Sequence, residues 1–228
     1  MLASRIVRAL SVLGALFLAV AGASAFAHDA GDFFVRARVI DIAPNDDSGA
    51  VVIAGSPVGG SGVSVDEGWT LDIDLNYMLS ANWGVELLLD LSSRHTVAAT
   101  GSLASLGEIL ELRTLPPALL LQYHFNPAGQ FQPYAGLGLN YTYFFDIDAS
   151  DSLKAALGGV SDADLDGSFG LAAQVGADFM LGNGWFLNLD LKHIRIDTQA
   201  DIASGAGTVT VDVDVNPWVY GIGLGRSF

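Results

Sequence analysis

Between Trp69 and Leu79 every second residue is apolar: Trp69, Leu71, Ile73, Leu75, Tyr77 and Leu79 alternate with Thr70, Asp72, Asp74, Asn76 and Met78. A period of two belongs to a strand, whose successive side chains point to opposite faces. The run is about as long as the 9–11 residues a tilted strand needs to cross the hydrocarbon layer of a bilayer. After Ser80-Ala81-Asn82 the pattern resumes, with Trp83, Val85, Leu87, Leu89 and Leu91 on one face and Glu86, Asp90 and Ser92 on the other. Two such runs around a short polar break predict a hairpin.

Further strands read from about 33 to 42, 112 to 125, 131 to 145, 168 to 181, 185 to 196 and 208 to 228, which brings the total to eight. The breaks between them alternate: long at 44–67, short at 80–82, medium at 95–110, short at 126–130, long at 146–167, short at 182–184, medium at 198–207. Short turns on one rim and long loops on the other are the rhythm of an outer-membrane barrel, with both termini on the short-turn, periplasmic side. Aromatic residues gather where the rims fall: Tyr77, Trp83, Tyr123, Phe125, Phe131, Trp185 and Phe228 at one, Trp69, Tyr141, Tyr143 and Phe145 at the other. The chain is 51% hydrophobic, yet beyond residue 27 no apolar run is long enough for a spanning helix. Apolar residues spread over alternate positions coat a cylinder without forming such a run. The rival all-β architecture, a soluble lipocalin-like barrel, turns its apolar face inward; the rim aromatics, the uneven connections and the terminal Phe228 favour the membrane version.

Residues 1–27 have the plan of a signal peptide: Arg5 and Arg8, an apolar core from Ala9 to Ala23, and Ala25-Phe26-Ala27 before His28. The expected organisation is therefore a leader at 1–27 and one all-β domain at 28–228, an eight-stranded antiparallel transmembrane β-barrel. The formal charge is −15 and becomes more negative once Arg5 and Arg8 are removed, so nucleic acid is not a partner. The absence of cysteine suits an oxidising compartment but decides little. Ser152 to Leu157 followed by Gly158 reads as one or two helical turns in a loop, capped by Ser152 and stopped by the glycine.

The alternation also sorts polar residues, because a charge on the lipid face near the midplane is destabilising by roughly 2–4 kcal/mol. Arg36, Arg38, Asp72, Asp74, Glu86, Asp90, Asp178, Asp190 and Lys192 fall inward in the lower and middle barrel. With Leu79 and Trp83 closing the tight turn, Asn76 faces Glu86 and Asp72 faces Asp90, and the like charges call for Arg36 and Arg38 from the neighbouring strand. A salt-bridged plug across the periplasmic half follows. Above it, Ile40, Ile42, Ile194, Ile196, Val211 and Val213 turn inward, with Val215 if no bulge intervenes at Asn216-Pro217, so the upper lumen is apolar. A ligand entering between the loops then meets a closed floor and must leave sideways. Pro116 and Pro117 each remove an amide donor from the wall and mark a lateral opening, or else an ordinary strand irregularity.

No catalytic or metal-binding group stands out, and no cofactor is expected. His95, His124 and His193 have no metal-ligand spacing; His95 beside Ser92 and Ser93 is assigned to a loop without triad geometry. Gly136-x-Gly138 and Gly221-x-Gly223 lie on strands with no following helix, which excludes a phosphate loop.

Several stretches resemble the OmpW family of small outer-membrane barrels, with its AlkL-like members. They are Asp32-Phe33-Phe34-Val35-Arg36, Ala43-Pro44-Asn45, Leu115-Pro116-Pro117, Leu121-Gln122-Tyr123-His124-Phe125, Gln132-Pro133-Tyr134-Ala135-Gly136, Ser168-Phe169-Gly170-Leu171 and Asn216-Pro217-Trp218. The resemblance implies an apolar, ligand-binding interior that lets small hydrophobic molecules cross the outer membrane, as alkanes do in AlkL. It also implies lipid and lipopolysaccharide as surroundings, insertion by the barrel assembly machinery, and, for some members, loops used by bacteriocins or phage. It places Phe169 where some members carry a lumen-narrowing tryptophan. Family members commonly end Gly-Tyr-Arg-Phe, whereas this chain ends Gly225-Arg226-Ser227-Phe228. Three readings of function result: a passive conduit for small hydrophobic molecules, a loop-displaying receptor or stress-related surface barrel, and a lipid-modifying enzyme, of which the first leads.

Overall fold

The computed structural model describes residues 29–228; the expected leader at 1–27 lies outside the described residues. Eight antiparallel staves close on themselves. In chain order they are Phe33–Ala43, Gly68–Met78, Trp83–Asp90 continued by Ser93–Gly101, and Glu108–Leu115 continued by Ala118–His124. Phe131–Ala149, Ser168–Gly182, Trp185–Ile194 continued by Asp197–Ser204, and Gly207–Asp214 continued by Trp218–Ser227 complete the ring. Each stave pairs with its chain neighbour, and the first pairs with the eighth, Phe34 opposite Ser227. Closure removes both sheet edges, which a bilayer requires because it offers no water to unpaired backbone groups.

The first hairpin has the expected register: Leu79 N–H donates to Trp83 O at 2.7 Å, Asn76 faces Glu86 and Asp72 faces Asp90. Outward residues such as Trp69, Leu71, Leu137 and Leu171 are exposed, while the inward Asp72, Asp74, Asn76 and Glu86 are buried. The inversion is that of a membrane barrel, with apolar groups outside and polar groups within. Trp83, Tyr123 and Phe125 meet edge to face in series at the periplasmic rim, with ring centroids 4.9 and 5.1 Å apart. There the Arg226 guanidinium lies 5.1 Å from the Trp185 ring centre and 5.6 Å from that of Phe228. A cation over two aromatic faces thus fills the place of the ring that other family endings carry.

Above the upper girdle the staves run further than the alternation suggested. The expected connection at 95–110 is strand Ser93–Gly101, a 3-10 turn at Ala104–Leu106 and strand Glu108–Leu115. Val97 and Ala99 do alternate there, but the small Ala98 and Thr100 between them dilute the polar contrast. The expected connection at 198–207 is likewise mostly strand. Two extracellular sheets result. One holds Ser61–Val65, Ser93–Gly101, Glu108–Leu115 and the top of stave five; the other holds Val160–Leu165, Asp197–Ser204, Gly207–Asp214 and short strands of the first loop. Between the two runs helix α1, Asp151–Ala156. Its cap is Ser150, whose hydroxyl accepts from Leu153 N–H at 3.2 Å, and not the expected Ser152, which donates to Leu106 O and Glu108 O. Ser150 has the extended backbone of a cap, and Ser152 is already within the helix.

Candidate functional site

The lowest layer of the lumen is apolar. Phe34, Met78, Met180 and Phe186 are buried together, with Phe34 and Phe186 edge to face at 5.7 Å. Room for them comes from stave eight, where a Cβ on Gly225 would stand 2.1 Å from the Phe186 ring. Gly176 similarly leaves space for Tyr134, whose ring carbon would lie 2.4 Å from a Cβ there. These glycines are sites of close approach, which is what the absence of a side chain supplies.

Above this layer, charged groups reach across the barrel. Arg36, on the first stave, pairs with Glu86 on the third at 2.8 Å and with Asp178 on the sixth at 2.7 Å. Arg38 pairs with Asp72 at 2.7 Å, with Asp74, and with Asp190 at 3.4 Å. Lys192 holds Asp190 at 2.5 Å and Glu86 at 3.5 Å. Neutral groups fill the remaining bonds: Gln122 donates to Glu86, Asn188 to Asp178, and Tyr134 to Asp190. The Arg36 guanidinium also lies 4.6 Å from the centre of the Tyr134 ring. Arg36, Asp74, Glu86 and Asp178 are each 0% exposed, so these pairs are fully desolvated by the protein. A buried pair of this kind is expensive to break, because the partner left behind keeps its desolvated charge.

The cavity begins above the charges. It has a volume of about 290 Å³ and runs up between the two extracellular sheets. Its walls include Ile42, Ile194, Ile196, Val211, Val213 and Val215, and Leu153 and Leu157 of the α1 segment roof it. Such a space suits one small ligand. Its polar lining residues are Asp90, His95, Ser105, Thr114, Thr142 and Thr198, and Asp90, Thr114 and Thr142 adjoin Pro116.

Pro116 stands at a gap in the wall. Leu88 pairs with Ala118 below it and Ser93 with Thr114 above; between these, among the described residues, no pair joins 89–92 to 115–117. The backbone at Ser92 turns to φ +36°, and Leu91 N–H bonds to Leu71 O on stave two instead. The other face of the prolines is closed, since Tyr141 N–H donates to Pro117 O and the Asn140 amide donates to both proline carbonyls. At the corresponding kink between staves seven and eight, Val215 N–H bonds to Ile196 O and Ile196 N–H to Asn216 Oδ1.

The named residues are thus distributed as follows. Arg36, Arg38, Asp72, Asp74, Glu86, Asp190 and Lys192 meet in the ion-paired layer, whereas Asp90 stands above it and bonds to none of them. Ile40 is buried but does not line the cavity, whereas Ile42, Ile194, Ile196, Val211 and Val213 do. Phe169 is a correction. It is 69% exposed on the outer wall, because stave six turns Ser168, Gly170 and Ala172 inward. A position carried over by resemblance yields here to the parity of the strand. Tyr134, Gln122 and Asn188 escaped the sequence reading, which sorted charges and passed over neutral polar residues of the same parity.

His95 is also corrected, from loop to strand. Its Nε2 is 3.0 Å from Ser93 Oγ, and its Nδ1 is 3.7 Å from Asp66. Ser93 Oγ also bonds to Thr114 Oγ1 at 2.7 Å, and Asp66 accepts from Thr96 N–H. The aspartate is thus beyond bonding distance of the ring, and the serine hydroxyl is shared with a second partner. Burial is the main influence on this histidine and holds it below its usual titration range.

A closed eight-stave cylinder with an apolar belt, aromatic rims and a polar lumen defines a small outer-membrane β-barrel. The OmpW family profile matches residues 29–228, and the chain belongs to that family. It is 40% identical over 216 residues to outer membrane protein W of Vibrio cholerae, covering 94% of this chain and 96% of that one. Among solved structures, it resembles the crystal structure of the outer membrane protein OprG from Pseudomonas aeruginosa with a TM-score of 0.84 and 38% identity, over 89% of this chain and 98% of that one. The solid-state NMR structure of the outer membrane protein AlkL in lipid bilayers matches with a TM-score of 0.70 and 26% identity, over 92% and 95% of the two chains. The protein resides in the outer membrane, among lipid and lipopolysaccharide.

Proposed function

We propose that this barrel is a passive conduit for small hydrophobic molecules, which enter between the extracellular sheets and leave sideways through the wall beside Pro116 and Pro117. The observation that carries the reading is the apolar cavity of about 290 Å³ standing on an ion-paired floor. A hydrophobic solute gains free energy in such a space, at roughly 25 cal/mol per Å² of apolar surface removed from water, while charged side chains below oppose its further descent. An aqueous pore would want polar walls throughout. The unpaired stretch between 89–92 and 115–117 supplies a lateral route, since two prolines present no amide donors there. The resemblance to AlkL-like members points the same way. Insertion through the barrel assembly machinery at Phe228, and capture of bacteriocins or phage by the loops, belong to the same proposal as secondary roles.

Uptake into liposomes holding the refolded barrel tests it. A hydrophobic solute should enter faster than a polar one of equal size, and Pro116→Val with Pro117→Val should slow that entry severalfold by letting the ladder close. Equal entry of both solutes would refute the conduit. Unchanged hydrophobic entry in the double variant, with the barrel intact, would remove the lateral route alone. Turnover of lipid A or phospholipid by the purified barrel would instead favour an enzyme, and the crowded Ser93 hydroxyl argues against that outcome.

A further inference from the structure

One side of the cavity floor is built differently from the rest. The register below the gap, continued upward, aligns three inward residues across staves three, four and five: Asp90, Pro116 and Thr142. All three line the cavity at the gap. Asp90 is 6% exposed, and no donor of the protein reaches its Oδ1. The nearby cations are engaged elsewhere. Arg38 donates to Asp72, which faces Asp90 across the ladder, and Lys192 donates to Asp190. Thr142 spends its hydroxyl proton on Asn140 Oδ1 at 2.9 Å and so presents only acceptor lone pairs. Ser92 Oγ, at the same kink, is buried and also has no partner. An orphaned carboxylate oxygen in an apolar cavity is a costly arrangement unless something supplies a donor.

From this row we infer that the conduit's preferred ligands are amphiphiles, not bare hydrocarbons: a hydrogen-bond-donating, non-anionic head at Asp90 with an apolar tail running up toward the Leu153 and Leu157 roof. A long-chain primary alcohol is the minimal such molecule. The inference rests on the conduit reading and deepens it by naming a substrate class. The hydroxyl proton goes to Asp90 Oδ1 and the tail replaces water against Ile42, Ile196 and Val213. A fatty carboxylate fits the same space but brings its charge against Asp90 and Asp72, and the acidic mouth, with Asp46, Asp66, Asp148 and Asp164, repels it further. The head would also lie beside the gap at Pro116, so the site that selects the molecule adjoins the place where it leaves.

The test uses the full barrel refolded in lipid nanodiscs, with 1-octanol, octane and octanoate as probes. Binding is read from shifts of the cavity Ile and Val methyl signals. Comparing each probe between wild type and variant cancels its partition into lipid, which is common to both. In wild type, 1-octanol should bind more tightly than octanoate. Asp90→Leu should weaken 1-octanol about tenfold, the equivalent of one buried hydrogen bond, and leave octane unchanged. Asp90→Asn, which keeps an acceptor oxygen, should retain most of the alcohol affinity. In wild-type protein, carbon 1 of 13C-labelled 1-octanol should lie in dipolar contact with Asp90 and not with Leu153 at the roof. The inference is overturned if the head is found at the roof, or if both variants bind 1-octanol like wild type while octane still binds. If none of the three probes moves the cavity methyls, the conduit reading itself has failed.

Discussion

The lower and upper halves of this barrel are made by the same eight staves, with the inward parity shifting at Ser92 of stave three, yet they are opposite environments. Below, inward positions carry Arg36, Arg38, Lys192 and five carboxylates, and every cation reaches at least two of them. Above, the same parity continues into Ile42, Ile194, Ile196 and Val213, and a cavity opens. The difference lies in what long side chains can do inside a narrow cylinder. Arginines span the lumen and pull non-neighbouring staves together, whereas isoleucines and valines end at the wall and leave the middle free. One half is therefore filled by paired side chains, and the other encloses a cavity.

Breaking the lower half should give the largest effect. Arg36→Ala leaves Glu86 and Asp178 buried without their cation, and should destabilise the barrel by about 3–5 kcal/mol in urea unfolding from lipid vesicles. A loss below about 1 kcal/mol would mean that water reaches the plug and that the two halves differ less than their side chains suggest. The complementary change fills the upper half. Val211→Trp places a large ring in the cavity and should abolish octane binding while altering stability by no more than the roughly 1–3 kcal/mol of an overpacked site. Should it unfold the barrel as Arg36→Ala does, the cavity would be a structural core and not a place for a ligand.

The smallest effect belongs to the extracellular wall. Burial favours neutral His95 in the folded protein, outweighing the attraction of Asp66, so its pKa lies below the ordinary value near 6.5. The unfolded segment then binds the proton more readily. The stabilisation is fully present above that ordinary value and is lost as pH falls through the folded-state pKa. With the intrinsic pH dependence of exchange divided out, the protection of amides 93–101 should be severalfold lower at pH 5 than at pH 8, and His95→Gln should flatten the dependence. Equal protection at both values in the wild type would show that the extracellular sheet does not feel this group.

Much of the barrel was legible because alternation is a local property. The Asp72 to Asp90 facing followed from one turn at Leu79 and Trp83, and the inward position of Arg36 and Arg38 from the penalty of charge in lipid. The extracellular extensions were harder to read, since small residues such as Ala98 and Thr100 blur the contrast between faces above the membrane, where the outer face meets water. The α1 cap was misplaced by two residues for a related reason: serines at 150 and 152 both suit the start of a helix, and only the extended backbone at Ser150 distinguishes them.

The sequence by itself determined the period of two, the eight staves and the side each residue faces, because strand geometry links neighbours in the chain to opposite faces. Only the tertiary structure decided that Arg36 bonds to Glu86 and Asp178, that Asp90 is left out of the network, and that strand pairing lapses on one side of Pro116 and persists on the other. Those outcomes depend on closure of the cylinder and on a register change at Ser92, which bring together residues that no periodicity along a single chain can relate.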